Sequence, residues 1–61
     1  MTRLCVSIFF DSYEQAVRDS ILAAEAGAEM VELRIDRFDN PVLIRDALAK
    51  IPVPCILTRR P

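Results

Sequence analysis

The sequence lacks histidine and tryptophan, and its 61 residues include one glycine and two cysteines. Without histidine, and with the cysteines in separate apolar runs, no cluster of side chains is available to hold a metal ion. The single glycine, Gly27, excludes the glycine-rich turn on which dinucleotide sites and P-loops depend. We therefore expect neither a metal site nor a nucleotide site of these kinds.

The sequence also lacks an excess of either charge and any long hydrophobic run. Eight basic and nine acidic residues give a formal net charge of -1, which does not indicate nucleic acid or an anionic membrane as a partner. The apolar run after Met1 is too short to cross a membrane and has no small-residue cleavage site. A cytoplasmic protein is therefore expected, with no nucleic-acid or membrane partner.

The remaining composition is that of a globular protein, with 52% hydrophobic and 28% charged residues. A chain of this length buries only a modest share of its surface, so a core made by these residues alone is marginal. Cys5 and Cys55 lie in apolar runs and are predicted to be buried thiols. If those runs are the first and third strands of one sheet, the cysteines are about 9 to 10 Å apart, which is too far for a disulfide.

The hydrophobic pattern predicts strands at 4–9, 30–35 and 55–58, and helices at 13–26 and 41–50. The first strand is a continuous apolar run typical of a strand buried on both faces, whereas the second alternates with a period of two. Ser12 and Gln15 match a capping box, with Tyr13, Val17, Ile21 and Ala24 as the expected buried stripe of the first helix. Asn40 and Pro41 are typical of a helix start.

This order of elements predicts an α/β fold with a parallel sheet, either open and doubly wound or closed into a barrel. Alternation puts Glu32 and Arg34 on one face of the second strand, where two charged groups are costly unless they are paired or used. Ser7 and Arg60 are expected at comparable ends of the first and third strands. A site at the carboxyl edge of the strands is one interpretation; the other is an edge strand whose polar face is merely solvated.

Three stretches resemble the type I 3-dehydroquinate dehydratases (3-dehydroquinases). They are LCVS at 4–7, GAEMVELRID at 27–36 and PVPCILTRRP at 52–61, in this order. The resemblance covers essentially the whole chain. It implies a (β/α)8 TIM barrel, of which residues 1–61 are the incomplete N-terminal part with a βαβαβ order.

The resemblance also implies a function. A member of this family is a lyase of the shikimate pathway that dehydrates 3-dehydroquinate to 3-dehydroshikimate through a lysine imine, without a metal or an organic cofactor because the imine is the electron sink. By residue type, Ser7, Glu32, Arg34 and Arg60 match the side chains that bind this small-molecule substrate. Asp36 is expected to hold Arg34, and Arg59 to point away from Arg60.

The family's reaction needs a lysine for the imine and a histidine for proton transfer. The sequence has no histidine, and Lys50 is expected in the last turn of the second helix, where its positive charge interacts favourably with the helix dipole. We therefore expect the catalytic pair on later strands that these residues do not include, and no activity from the 61 residues alone.

Two other functions stay open. One is a non-catalytic βαβαβ binding or assembly module that pairs with another chain and holds an anion at Arg34 and Arg60. The other is a different imine-forming or phosphate-binding barrel enzyme. The oligomeric state of the whole protein, for which a homodimer is one alternative, and a fusion to shikimate dehydrogenase also stay open.

Overall fold

The computed structural model describes residues 4–59, in which three strands alternate with two helices. The elements are β1 (Cys5–Phe9), α1 (Tyr13–Glu25), β2 (Met30–Arg34), α2 (Pro41–Lys50) and β3 (Cys55–Thr58). The predicted α/β class is confirmed, and no element boundary differs from its prediction by more than one residue. Neither helix within 4–59 is long and apolar enough to cross a membrane.

Both helices begin at the caps that the sequence predicts. The Ser12 hydroxyl accepts a hydrogen bond from the Gln15 backbone N–H at 3.2 Å, and the Gln15 side-chain oxygen accepts one from the Ser12 N–H at 3.2 Å. At α2 the Asn40 side chain accepts from the Leu43 N–H at 3.2 Å. These bonds satisfy backbone donors that the first helical turn leaves without partners.

The sheet is parallel and follows chain order, with β2 between β1 and β3. Its register sets Ser7 opposite Glu32 and Phe9 opposite Arg34, and it sets Arg34 opposite Thr58. Because β2 is the central strand, the interpretation of the Glu32 strand as a solvated edge is wrong.

One face of the sheet carries both helices and the core. Val31 and Leu33 of β2 are fully buried there, and the core cluster joins side chains of the sheet and of both helices. Its buried members are Ile8, Phe10, Ala16, Val31, Leu33, Ile44, Ala47 and Ile51. In a doubly wound sheet the helices cover both faces. Sequential strands with both helices on one side are instead the arrangement of a barrel wall.

No helix covers the opposite face, which we name the open face. Strand alternation and the register place on it Cys5, Ser7, Phe9, Met30, Glu32, Arg34, Ile56 and Thr58. The prediction that β1 is buried on both faces is therefore wrong for these residues, since Phe9 is 58% exposed. The apolar pattern of β1 predicts a strand without polar alternation. It contains no information about which layer, if any, covers the second face of that strand.

The two cysteines lie on opposite faces and are both free thiols. The prediction of a buried thiol is wrong for Cys5, which is exposed because it lies on the open face. Cys55 is half-buried against the core, and burial raises the pKa of its thiol. Opposite faces and a separating strand leave these cysteines unable to bridge.

The buried stripe of α1 is displaced from its prediction. Ala16 and Ser20 are fully buried, whereas Tyr13, Val17 and Ile21 are only partly covered. Small side chains at the centre of the contact let the helix lie close to the sheet, with the larger ones at its margin. The prediction from hydrophobicity alone chose the larger residues, and the buried side of α1 is therefore rotated relative to the predicted one.

Candidate functional site

A first polar pair lies across the middle of the open face. The Ser7 hydroxyl donates a hydrogen bond to Oε1 of Glu32, its register partner on β2. The sequence predicts Ser7 at the end of the first strand. Ser7 instead lies in the middle of β1, because the strand continues to Phe9. The pair leaves the half-buried Glu32 carboxylate with a further oxygen that can accept a hydrogen bond from a hydroxyl group.

A second polar pair lies at the carboxyl end of β2. The guanidinium Nη2 of Arg34 lies 2.9 Å from Oδ2 of Asp36, and the two side chains are only 17% and 23% exposed. Arg34 is the last residue of β2, so its side chain leaves the open face at the edge where barrel enzymes build their sites. The contact joins the two residues that the sequence paired, and it compensates the arginine's charge at a partly buried position.

Two features of this edge were not predicted from the sequence. The Arg34 guanidinium carbon lies 5.3 Å from the centroid of the Phe9 ring. Within residues 4–59, Nε of Arg34 and the hydroxyl of Thr58 are buried without a hydrogen-bond partner. The strand register is the signal that could have found both, because Phe9 and Thr58 are the two cross-strand neighbours of Arg34.

A cleft of about 290 Å³ opens beside Arg34, between the segments that follow β1 and β2. It contains both members of the second polar pair and the aromatic side chain beside them. Its lining residues are Phe9, Phe10, Asp11, Arg34, Asp36 and Arg37. Two arginines and two aspartates in one cleft suit a polar ligand that carries both hydroxyl groups and a negative charge.

Lys50 lies in the last turn of α2, as predicted, and not on the open face. Its Nζ lies 3.4 Å from Oδ2 of Asp46 and 5.1 Å from the centroid of the Tyr13 ring. Contact with the Tyr13 hydroxyl and the charge of Asp46 raise the pKa of Lys50. A lysine that attacks a ketone needs the opposite shift, because only the neutral amine is nucleophilic.

The arginines after β3 were predicted to point in different directions. Arg59 lies away from the open face: its Nη2 donates to the Phe38 carbonyl at 3.2 Å and lies 3.8 Å from Oδ1 of Asp39. Arg60 lies outside the described residues, so its predicted place in the site remains a prediction from the sequence.

Comparison with known proteins identifies the family. The model of the type I 3-dehydroquinase family matches residues 4–61. The chain belongs to the type I 3-dehydroquinase family. A 3-dehydroquinate dehydratase of Methanothermobacter thermautotrophicus is 36% identical in an alignment of 61 positions that covers 97% of this chain and 28% of that relative. This type I 3-dehydroquinase sequence thus spans little more than a quarter of its relative, and no solved structure matches it.

Membership in the type I 3-dehydroquinase family also identifies the architecture. Three parallel strands in chain order with two helices on one side form the N-terminal part of a (β/α)8 barrel. The helices of such a barrel form its outer ring, so the open face is the one that faces the interior. Glu32 and Arg34 therefore belong to the interior wall, and Arg34 lies at its carboxyl edge.

Proposed function

We propose that these residues form part of the substrate-binding wall of a 3-dehydroquinate dehydratase, the lyase that converts 3-dehydroquinate to 3-dehydroshikimate in the shikimate pathway. The observation that carries the proposal is the presence of the Ser7–Glu32 pair on the open face and of the Arg34–Asp36 pair at its carboxyl edge. The family match over residues 4–61 supports it. The protein acts in the cytoplasm on a small molecule, without a nucleic-acid or membrane partner.

Each side chain has a role that its chemistry suits. Glu32, oriented by the Ser7 hydroxyl, accepts hydrogen bonds from substrate hydroxyl groups. Arg34, held by Asp36, donates to substrate oxygen atoms, and Arg60 is proposed to supply a second set of guanidinium donors. Fixing a polyhydroxylated acid at several points orients its ketone for attack and lowers the entropic part of the barrier.

The catalytic lysine and histidine are proposed to come from outside these 61 residues. The sequence contains no histidine, and its one lysine, Lys50, is stabilised as a cation at the end of α2. The whole protein then forms an imine between its lysine and the substrate ketone, and the histidine moves protons during the loss of water. The imine is the electron sink, so no metal or organic cofactor takes part.

Activity of the full-length protein that carries this sequence tests the proposal. We expect the purified protein, treated with chelator, to convert 3-dehydroquinate to 3-dehydroshikimate, measured by the ultraviolet absorbance of the conjugated product. The 61-residue chain at equal molar concentration serves as the control and should show no turnover. A full-length protein that is folded and binds 3-dehydroquinate without turning it over would instead support the non-catalytic binding module.

A further inference from the structure

We infer that Phe9 is a positioning residue for Arg34, and that its ring fixes the guanidinium in the orientation that binds substrate. The inference rests on the proposed function of the open face and adds a residue that neither the motifs nor the family match assigns. Phe9 sits at the end of β1, outside the core cluster.

The register places the ring and the guanidinium next to each other. Phe9 and Arg34 are Cα partners across β1 and β2, so both side chains leave the same face of the sheet side by side. The guanidinium carbon lies 5.3 Å from the ring centroid, within the range of an attractive cation–π contact. Phe9 lies outside the helix-side core cluster, so packing against the helices does not explain an aromatic residue here.

The ring supplies a constraint that the hydrogen bonds of Arg34 do not. Among the described residues, the guanidinium hydrogen bond is the one from Nη2 to Asp36, at 2.9 Å, and Nε has no partner. This one bond fixes a corner of the guanidinium but does not by itself set the direction of its other N–H groups. The face of Phe9 adds a second constraint, so Asp36 and the ring together define the position from which the remaining N–H groups reach an oxygen atom.

The electronic character of the Phe9 ring allows an experiment to distinguish electrostatic positioning of Arg34 from simple filling of space. An aromatic face attracts a cation through its negative quadrupole, whereas an aliphatic side chain of similar size only fills volume. Ring fluorination reduces that negative potential with little change in shape. If Phe9 positions Arg34 electrostatically, substrate affinity must therefore follow the degree of fluorination.

The experiment replaces Phe9 in the full-length protein with mono-, di- and trifluorinated phenylalanine and measures kcat and KM for 3-dehydroquinate. We expect KM to rise stepwise, to about two- to fivefold at the trifluorinated ring, with kcat unchanged within about twofold. Phe9→Leu should match or exceed the largest increase, and Phe9→Tyr should restore KM. Phe38 is the matched control, because its ring contacts that of Phe10, with the centroids 4.4 Å apart, and lies on the helix side.

The outcomes separate this inference from the function on which it rests. A flat KM across the series in an active protein overturns the positioning role and leaves the proposed function intact. An equal rise in KM when Phe38 is fluorinated also overturns it, since the effect would then be a general one on folding or packing. A wild-type protein without dehydratase activity overturns the proposed function, and this inference with it.

Discussion

Replacing Arg34 by alanine in the full-length protein is expected to lower kcat/KM for 3-dehydroquinate about 30- to 1000-fold, corresponding to roughly 2 to 4 kcal/mol. The substitution would remove the charge-assisted hydrogen bonds that we propose Arg34 donates to the substrate. It also leaves the Asp36 carboxylate, whose side chain is only 23% exposed, without the guanidinium at 2.9 Å. Steady-state kinetics on variants with matched melting temperatures measures the effect without confusing it with misfolding.

Arg45 is the control for Arg34, since it is an arginine exposed on α2. Arg45→Ala should change the free energy of transition-state binding, obtained from kcat/KM, by less than about 0.5 kcal/mol, as for a surface substitution. Arg34→Lys should recover only part of the lost rate, because a lysine keeps the charge but not the planar fork of donors. Equal losses for Arg34→Ala and Arg45→Ala would remove Arg34 from the site.

Arg60→Ala is expected to impair turnover as strongly as Arg34→Ala, about 30- to 1000-fold in kcat/KM, whereas Arg59→Ala is expected to leave turnover nearly unchanged. Consecutive side chains at a strand end point to opposite faces, so only one of two adjacent arginines can reach a ligand in the interior. Arg59 already lies on the other side, against the Phe38 carbonyl and beside Asp39.

The same pair of variants provides its own control, because both remove one positive charge from adjacent positions. Arg59→Ala should cost under about 0.5 kcal/mol in transition-state binding, although loss of its bond to the loop before α2 can lower the melting temperature. If Arg59→Ala proved the more damaging to kcat/KM, the alternation extended from Thr58 would be off by one residue, and Arg60 would leave the site.

The elements of the fold could be predicted because local chemistry decides them. The Ser12 and Asn40 caps need only a backbone N–H three residues further along the chain, and both hydrogen bonds form. The alternation of β2 fixed its two faces, since a strand has a period of two whatever surrounds it. Gly27, which follows the C-cap of α1, has a φ of 108°, a conformation that other residues avoid.

Features that depend on tertiary contacts could not be predicted in the same way. Exposure of Cys5 follows from which face the helices cover, and an apolar run contains no information about that. Burial of Ser20 in α1 depends on the close approach of helix and sheet, which hydrophobicity does not report. The Phe9–Arg34 contact needs the exact pairing of β1 with β2, a relation between residues 25 positions apart.

The most direct test of the central claim is a crystal structure of the full-length protein after 3-dehydroquinate is reduced onto it with borohydride. We predict electron density joining the substrate carbon to a lysine other than Lys50. The substrate oxygen atoms should lie within about 3.2 Å of the Glu32 carboxylate and the Arg34 guanidinium. An adduct on Lys50, or a bound ligand that contacts neither Glu32 nor Arg34, would contradict the proposal that the open face binds the substrate.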